Sequence, residues 1–182
     1  MKLWIVRHAT PLIASGICYG ALDISADETH TRQTASVLAQ NLPAQSKVWV
    51  SPLKRCMQLA EAVSDMRSEL TLRIDDRLRE MDFGRWEGVA WDAIPLADIQ
   101  VWNNEFGAHR FGGVESANEV LARVSELWDA ALEDVDPYQV WITHAGVARA
   151  VQLLSQGIRS VQSVHQWPKD APGYGEWYCF NR

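Results

Sequence analysis

The chain has 182 residues, 47% of them hydrophobic and 22% charged, with 17 Lys plus Arg against 23 Asp plus Glu for a formal charge of −6. That length suits a single domain with its own core, about 100–200 residues being usual, and the acidic balance excludes a general nucleic-acid coat or an anionic membrane surface as partner, because both are bound through clustered positive charge. Cys18, Cys56 and Cys179 form no C-x-x-C pair, which excludes a disulfide framework or cysteine zinc site, and the apolar start at residues 3–6 is too short for a signal-peptide core (about 7–15 residues) or a spanning helix (about 20), so a cytoplasmic protein is expected.

In chain order, residues 3–6 and 48–50 are short apolar runs that predict strands buried on both faces. Between them Ala35, Leu38, Ala39 and Leu42 share one helical face. A second helix carries Leu53, Cys56, Met57 and Ala60, with Ser51 expected as its cap and Pro52 at its first position. A weaker strand is expected at 72–74. Residues 86–113 lack a clear period and are expected to form a helical insertion over one end of the sheet. Ser116 and Glu119 then form a capping box before the stripe Val120, Leu121, Val124, Leu127, Trp128, Ala131. A β-branched and aromatic strand at 138–142, a helix at 147–154 and a last strand at 176–180 complete the pattern. Strands alternating with helices predict an α/β three-layer sandwich, its mostly parallel central sheet flanked by helices, with residues 1–182 in one domain.

Open α/β sheets bind ligands beyond the carboxyl ends of their strands. Arg7 and His8 follow the first predicted strand. Ser51 to Arg55 follow the second, Arg77, Arg79 and Glu80 the weaker one, and Thr143, His144, Ala145 and Gly146 the strand at 138–142. Each group alone also reads as something plainer: Arg7-His8 as a solvated loop, Arg55 as a surface side chain, His144 as a capping or core histidine, Glu80 as part of a salt-bridged face. Arg55 in the first turn of a helix opposes the helix dipole, which favours a ligand role. Together the four strand ends describe an anion pocket.

Four blocks carry a family resemblance. Arg7-His8-Ala9-Thr10 resembles the Arg-His-Gly signature of the histidine phosphatase superfamily, with Ala9 in place of the usual glycine. The segment beginning Ser51-Pro52-Leu53-Lys54-Arg55 is similar to its second block, Leu78-Arg79-Glu80-Met81-Asp82-Phe83-Gly84-Arg85-Trp86-Glu87-Gly88 to its third, and Thr143-His144-Ala145-Gly146 to its fourth. Within the superfamily, Gly16-Ile17-Cys18-Tyr19-Gly20-Ala21-Leu22-Asp23 together with residues 79–84 looks most like the alpha-ribazole phosphatases, which remove the 5′-phosphate of a cobalamin precursor.

The resemblance implies a phosphoglycerate mutase-like fold and a phosphomonoesterase that needs no metal or other cofactor. His8 would be the nucleophile that forms a phosphohistidine. Arg7, Arg55 and His144 would hold the transferring group, and Glu80 would serve as acid and then base, with Asp82 or Glu87 raising its pKa. Thr10, Tyr19, Gly20 and Ala145 are expected to contact substrate, a small phosphate ester. The tryptophans Trp86, Trp91 and Trp102 read either as packing or as an aromatic wall for a flat base.

Other readings stay open: a broad-specificity phosphatase, a phosphoglycerate mutase-like enzyme, or a phosphate-binding regulatory module without turnover. A zinc site of His8, His144 and Glu80 is disfavoured by the absence of H-E-x-x-H and by the two nearby arginines. Nothing in the sequence decides for or against a homodimer.

Overall fold

The structure, a computed structural model, describes residues 2–181. Five strands form one sheet: β1 (Lys2–Arg7), β2 (Lys47–Val50), β3 (Thr71–Ile74), β4 (Tyr138–Thr143) and β5 (Trp177–Asn181). Their order is β3-β2-β4-β1-β5. The β1–β4, β2–β4 and β2–β3 pairs are parallel, and only β5 runs antiparallel against β1. Five α-helices accompany them: α1 (Glu28–Asn41), α2 (Lys54–Met66), α3 (Leu96–Asn104), α4 (Ala117–Glu133) and α5 (Ala145–Ser155).

Side-chain alternation along the central strands creates the layers. Leu3, Ile5 and Trp141 enter one core with Leu121, Val124 and Trp128 of α4 and Val147 and Val151 of α5. Trp4, Val6, Val140 and Ile142 face the other way, against Leu38 of α1 and Leu59 and Val63 of α2. The result is the expected three-layer α/β sandwich. Burial on both faces holds for β1 and β4, whereas β2 alternates buried and half-buried residues and β3, at the edge, is mostly exposed.

The capping box forms as expected: Ser116 accepts from the Glu119 amide and Glu119 from the Ser116 amide. The expected cap of α2 does not. That helix begins at Lys54 behind Leu53, with no side-chain cap; the Ser51 hydroxyl takes the Leu53 amide (3.4 Å) and pairs with His144 Nε2 (2.8 Å). Residues 84–113 contain three single 3₁₀ turns and α3, packed through Phe83, Trp86, Trp91, Trp102 and Phe111. Among the described residues no helix is long and apolar enough to cross a membrane.

Candidate active site

The carboxyl ends of β1, β2 and β4 are stitched together before any side chain is considered. The His8 amide donates to Thr143 O (3.1 Å) and the Ser51 amide to Ile142 O (3.0 Å). Thr143 Oγ1 donates to Leu78 O at 2.7 Å, tying in the segment that carries Glu80. That segment is also hung from α4. Arg123 donates to Arg77 O (2.6 Å) and pairs with Glu115, which in turn accepts from the Asp82 amide (3.1 Å).

His8 is 2% exposed. Its Nδ1 lies 2.7 Å from the Ala9 carbonyl oxygen, which only accepts, so Nδ1 carries the proton and Nε2 the lone pair. Arg55 Nε donates to that Nε2 at 3.2 Å. Burial foremost, then the Arg55 guanidinium and more weakly that of Arg7, hold the His8 pKa down at about 3, although the bond to Ala9 opposes them. The ring is therefore neutral across the physiological range and offers a nitrogen lone pair.

Arg55 is fully buried, its Nη1 donating to Leu22 O (2.8 Å) and its Nη2 to Gly20 O (2.6 Å). His144, also fully buried, has its ring centre 5.1 Å from that of His8 and its Nε2 2.8 Å from Ser51 Oγ. Its pKa lies well below the ordinary value, chiefly through burial and then through Arg55. Arg7 donates from Nη1 to Pro172 O (3.0 Å), and its guanidinium carbon stands 3.9 Å over the Tyr174 ring.

In front of His8 opens a cavity of about 460 Å³. Arg7, His8, Tyr19, Glu80 and Ala145 line it, as do Gly146 and Arg149. One side is aromatic, with Phe83, Trp91, Trp102, Phe106, Trp167 and Tyr174. Trp91 and Trp102 line this cavity while also stacking on Phe111, and Trp91 stacks on Trp102. Trp86 also packs on Phe111.

Glu80 receives the Met81 amide on Oε1 (3.0 Å) and the Gly146 amide on Oε2 (3.0 Å). An added Cβ on Gly146 would come within 2.2 Å of Glu80 Oε1. Gly146→Ala is therefore expected to leave the melting temperature unchanged or raised, since alanine favours a helix by roughly 1 kcal/mol over glycine. It should nevertheless lower kcat about 10–100-fold by displacing the carboxylate. Thermal unfolding and steady-state kinetics of the one variant check both.

Several expectations need correction. Thr10 does not line this cavity: its Oγ1 lies 2.7 Å from His30 Nδ1, which also accepts from its amide. Gly20 acts through its carbonyl on Arg55 and is not part of the cavity wall. Arg55 and His144 sit behind His8 and do not line the wall. Arg77 pairs with Asp75, and Arg79 with Asp76. Glu87 does not serve Glu80; it accepts four backbone amides elsewhere, and Asp82 accepts from the Gly84 amide.

Several residues of the site escaped the sequence reading, Phe106 and Trp167 of the aromatic side among them. Tyr174 gave only the turn signal of Gly173 and Gly175 around it. Ser51 was assigned to the helix start. Arg149, three residues beyond Gly146, was given no role.

The model of the histidine phosphatase superfamily (branch 1) matches residues 3–168. The chain is 31% identical over 166 residues to the Hydrogenobacter thermophilus protein named "Putative phosphoserine phosphatase 2", covering 86% of this chain and 79% of the relative. It is 30% identical over 183 residues to the glucosyl-3-phosphoglycerate phosphatase of Mycolicibacterium vanbaalenii, covering 92% and 77%. The solved native structure of a mycobacterial glucosyl-3-phosphoglycerate phosphatase shares the fold, with a TM-score of 0.80 and 21% identity over 98% of this chain and 88% of that one. The chain belongs to the histidine phosphatase superfamily and is one of its phosphatases.

Proposed function

We propose that the chain is a phosphomonoesterase working through a phosphohistidine on His8, and that its substrate is alpha-ribazole 5′-phosphate, a phosphate ester of an alcohol bearing a flat base. The observation that carries the mechanism is the buried, neutral His8 with its Nε2 lone pair held 3.2 Å from Arg55 Nε at the floor of the cavity. The Arg55 Nε–H bond to His8 Nε2 opens to free the lone pair, Nε2 attacks phosphorus as the ester P–O bond breaks, and a proton passes from Glu80 to the departing oxygen. In the second step Glu80 takes a proton from water, the water oxygen bonds to phosphorus, the P–N bond breaks and phosphate leaves. Arg7 in the cavity wall, with Arg55 and His144 from the buried side of His8, stabilises the equatorial oxygens. Phosphoryl transfer depends mainly on such positioning and charge, and cationic side chains supply here what a metal supplies elsewhere.

The aromatic side of the cavity supports the flat base. Tyr19, Trp91, Trp102 and Tyr174 line it, and Ala145 stands in the same wall. A second reading, a phosphatase of carboxylate-bearing esters, is favoured by Arg149 in the same wall. The names of two relatives, a phosphoserine and a glucosyl-3-phosphoglycerate phosphatase, point the same way.

A panel of esters ranked by kcat/KM separates the readings. Alpha-ribazole 5′-phosphate should lead phosphoserine and phosphoglycerates by at least about tenfold, the scale of one well-formed apolar contact. A lead for the acidic esters would establish the second reading, and a flat ranking a broad-specificity enzyme.

A further inference from the structure

One carboxylate outside the reacting group of residues holds an unusual set of partners. Glu87, just after the 3₁₀ turn Gly84–Trp86, accepts four backbone amides and no cation is among them. Its Oε2 takes Gly20 N (2.9 Å) and Leu22 N (3.0 Å), and its Oε1 takes Ala21 N (2.9 Å) and Phe83 N (2.9 Å). Three consecutive amides of a loop more than sixty residues away in the chain are thus gripped by a single side chain.

The other side of that loop faces Arg55. Gly20 O and Leu22 O are the two carbonyls that receive its terminal nitrogens, while its Nε bonds to His8 Nε2. Gly20 and Leu22 therefore each present an N–H to Glu87 and a C=O to Arg55. One peptide group, Gly20–Ala21, lies directly between the two charges, its C=O on Arg55 Nη2 and its N–H on Glu87 Oε1, and its polarisation strengthens both bonds. Arg55 is compensated in this way without a direct ion pair, so its remaining N–H donors stay available to a phosphoryl group. The packing allows no slack: a Cβ on Gly20 would lie 1.9 Å from Met81 O and 3.1 Å from Glu87 Oε1.

We propose that Glu87 is a positioning residue for the reaction: by gripping the amides of residues 20–22 it fixes the two carbonyls that aim the Arg55 guanidinium at His8 Nε2. This rests on the phosphohistidine reading for its kinetic consequence, but its geometric core concerns only Glu87, Arg55 and His8.

Glu87→Gln tests it, because the amide keeps the shape, loses acceptor capacity and turns an NH₂ towards backbone donors. The substrate-free readout is the titration of His8 followed by nitrogen NMR of the imidazole. The titratable and charged groups around His8 are Arg7 from β1, Arg55 from α2, His144 ahead of α5 and Tyr174 ahead of β5, with Glu80 and Tyr19 across the cavity. Only Arg55 donates to Nε2 among them. If Glu87 holds it there, E87Q moves the His8 pKa up from its depressed value towards 6.5; an unchanged titration in a folded E87Q protein overturns the proposal.

The kinetic readout is the rate of phosphoenzyme formation in single turnover. E87Q should slow it about 100-fold, the scale of one misaligned donor. The loss should nearly vanish when E87Q is added to Arg55→Lys, because the guanidinium through which it acts is already gone. Losses that multiply in the double variant overturn the proposal. Glu87→Asp and Gly20→Ala, which disturb the same grip from either side, are read by the same two measurements if E87Q does not fold. A chain that turned over without any phosphohistidine would refute the mechanism proposed above, yet the His8 titration would still decide the role of Glu87.

Discussion

Replacing His8 with asparagine is expected to lower kcat by at least about 10⁴-fold, the scale of removing a nucleophile outright, and to abolish the acid-labile phosphoprotein expected on rapid quenching of the parent. Asparagine is close in reach to the imidazole but provides no nitrogen lone pair of comparable nucleophilicity. Turnover at the parental rate would require another phosphate acceptor.

The same variant has a signature in stability. The folded protein holds His8 at about pKa 3, and holds His144 well below its ordinary value, whereas an unfolded histidine titrates near 6.5. Below pH 6.5 the unfolded chain therefore binds protons that the folded one refuses. Stability is lost as pH falls, by about 1.4 kcal/mol per pH unit for each histidine. Between pH 7 and pH 5 His8→Asn should remove about 2 kcal/mol of that loss. Urea unfolding of parent and variant at the two pH values measures it, and parallel curves would contradict a buried neutral His8.

Arg55→Lys should lower kcat/KM about 10³-fold, with most of the loss in kcat, because a planar fork is exchanged for a point charge at the reacting centre. In the resting protein the guanidinium meets three acceptors at once: His8 Nε2, Gly20 O and Leu22 O. An ammonium on a shorter stem cannot span that set, so the carbonyls lose donors and the charge loses its direction. Steady-state kinetics with a thermal melt separates the catalytic loss from unfolding. A variant within threefold of the parent would remove Arg55 from the mechanism.

Much of this was legible from local chemistry. The apolar runs 3–6 and 138–142 read as central strands because few polar residues interrupt them, and both are buried where the sheet is covered on two faces. Ser116 and Glu119 announced the start of α4 because a capping box is complete within four residues. Ser51 misled for the same kind of reason. A serine ahead of a proline and an amphipathic stretch has the local form of a cap, but its hydroxyl reaches only the Leu53 amide locally and its shorter bond goes to His144, 93 residues further on. Thr10 misled likewise: adjacency to His8 implied a shared site, but its hydroxyl turns to His30.

The sequence by itself determined the alternation of strands and helices, the three layers and the delivery of Arg7, His8, Arg55, Glu80 and His144 to one edge of the sheet, since each follows from periodicity, caps and the rule for strand ends. Only the tertiary structure decided which atoms meet. Arg55 reaches His8 across 47 residues, Arg7 reaches Pro172 across 165, and Glu87 reaches Gly20 across 67. Such pairings depend on how two cores close around a sheet and which side chains are left to satisfy buried amides and carbonyls, and no short window of sequence contains both partners.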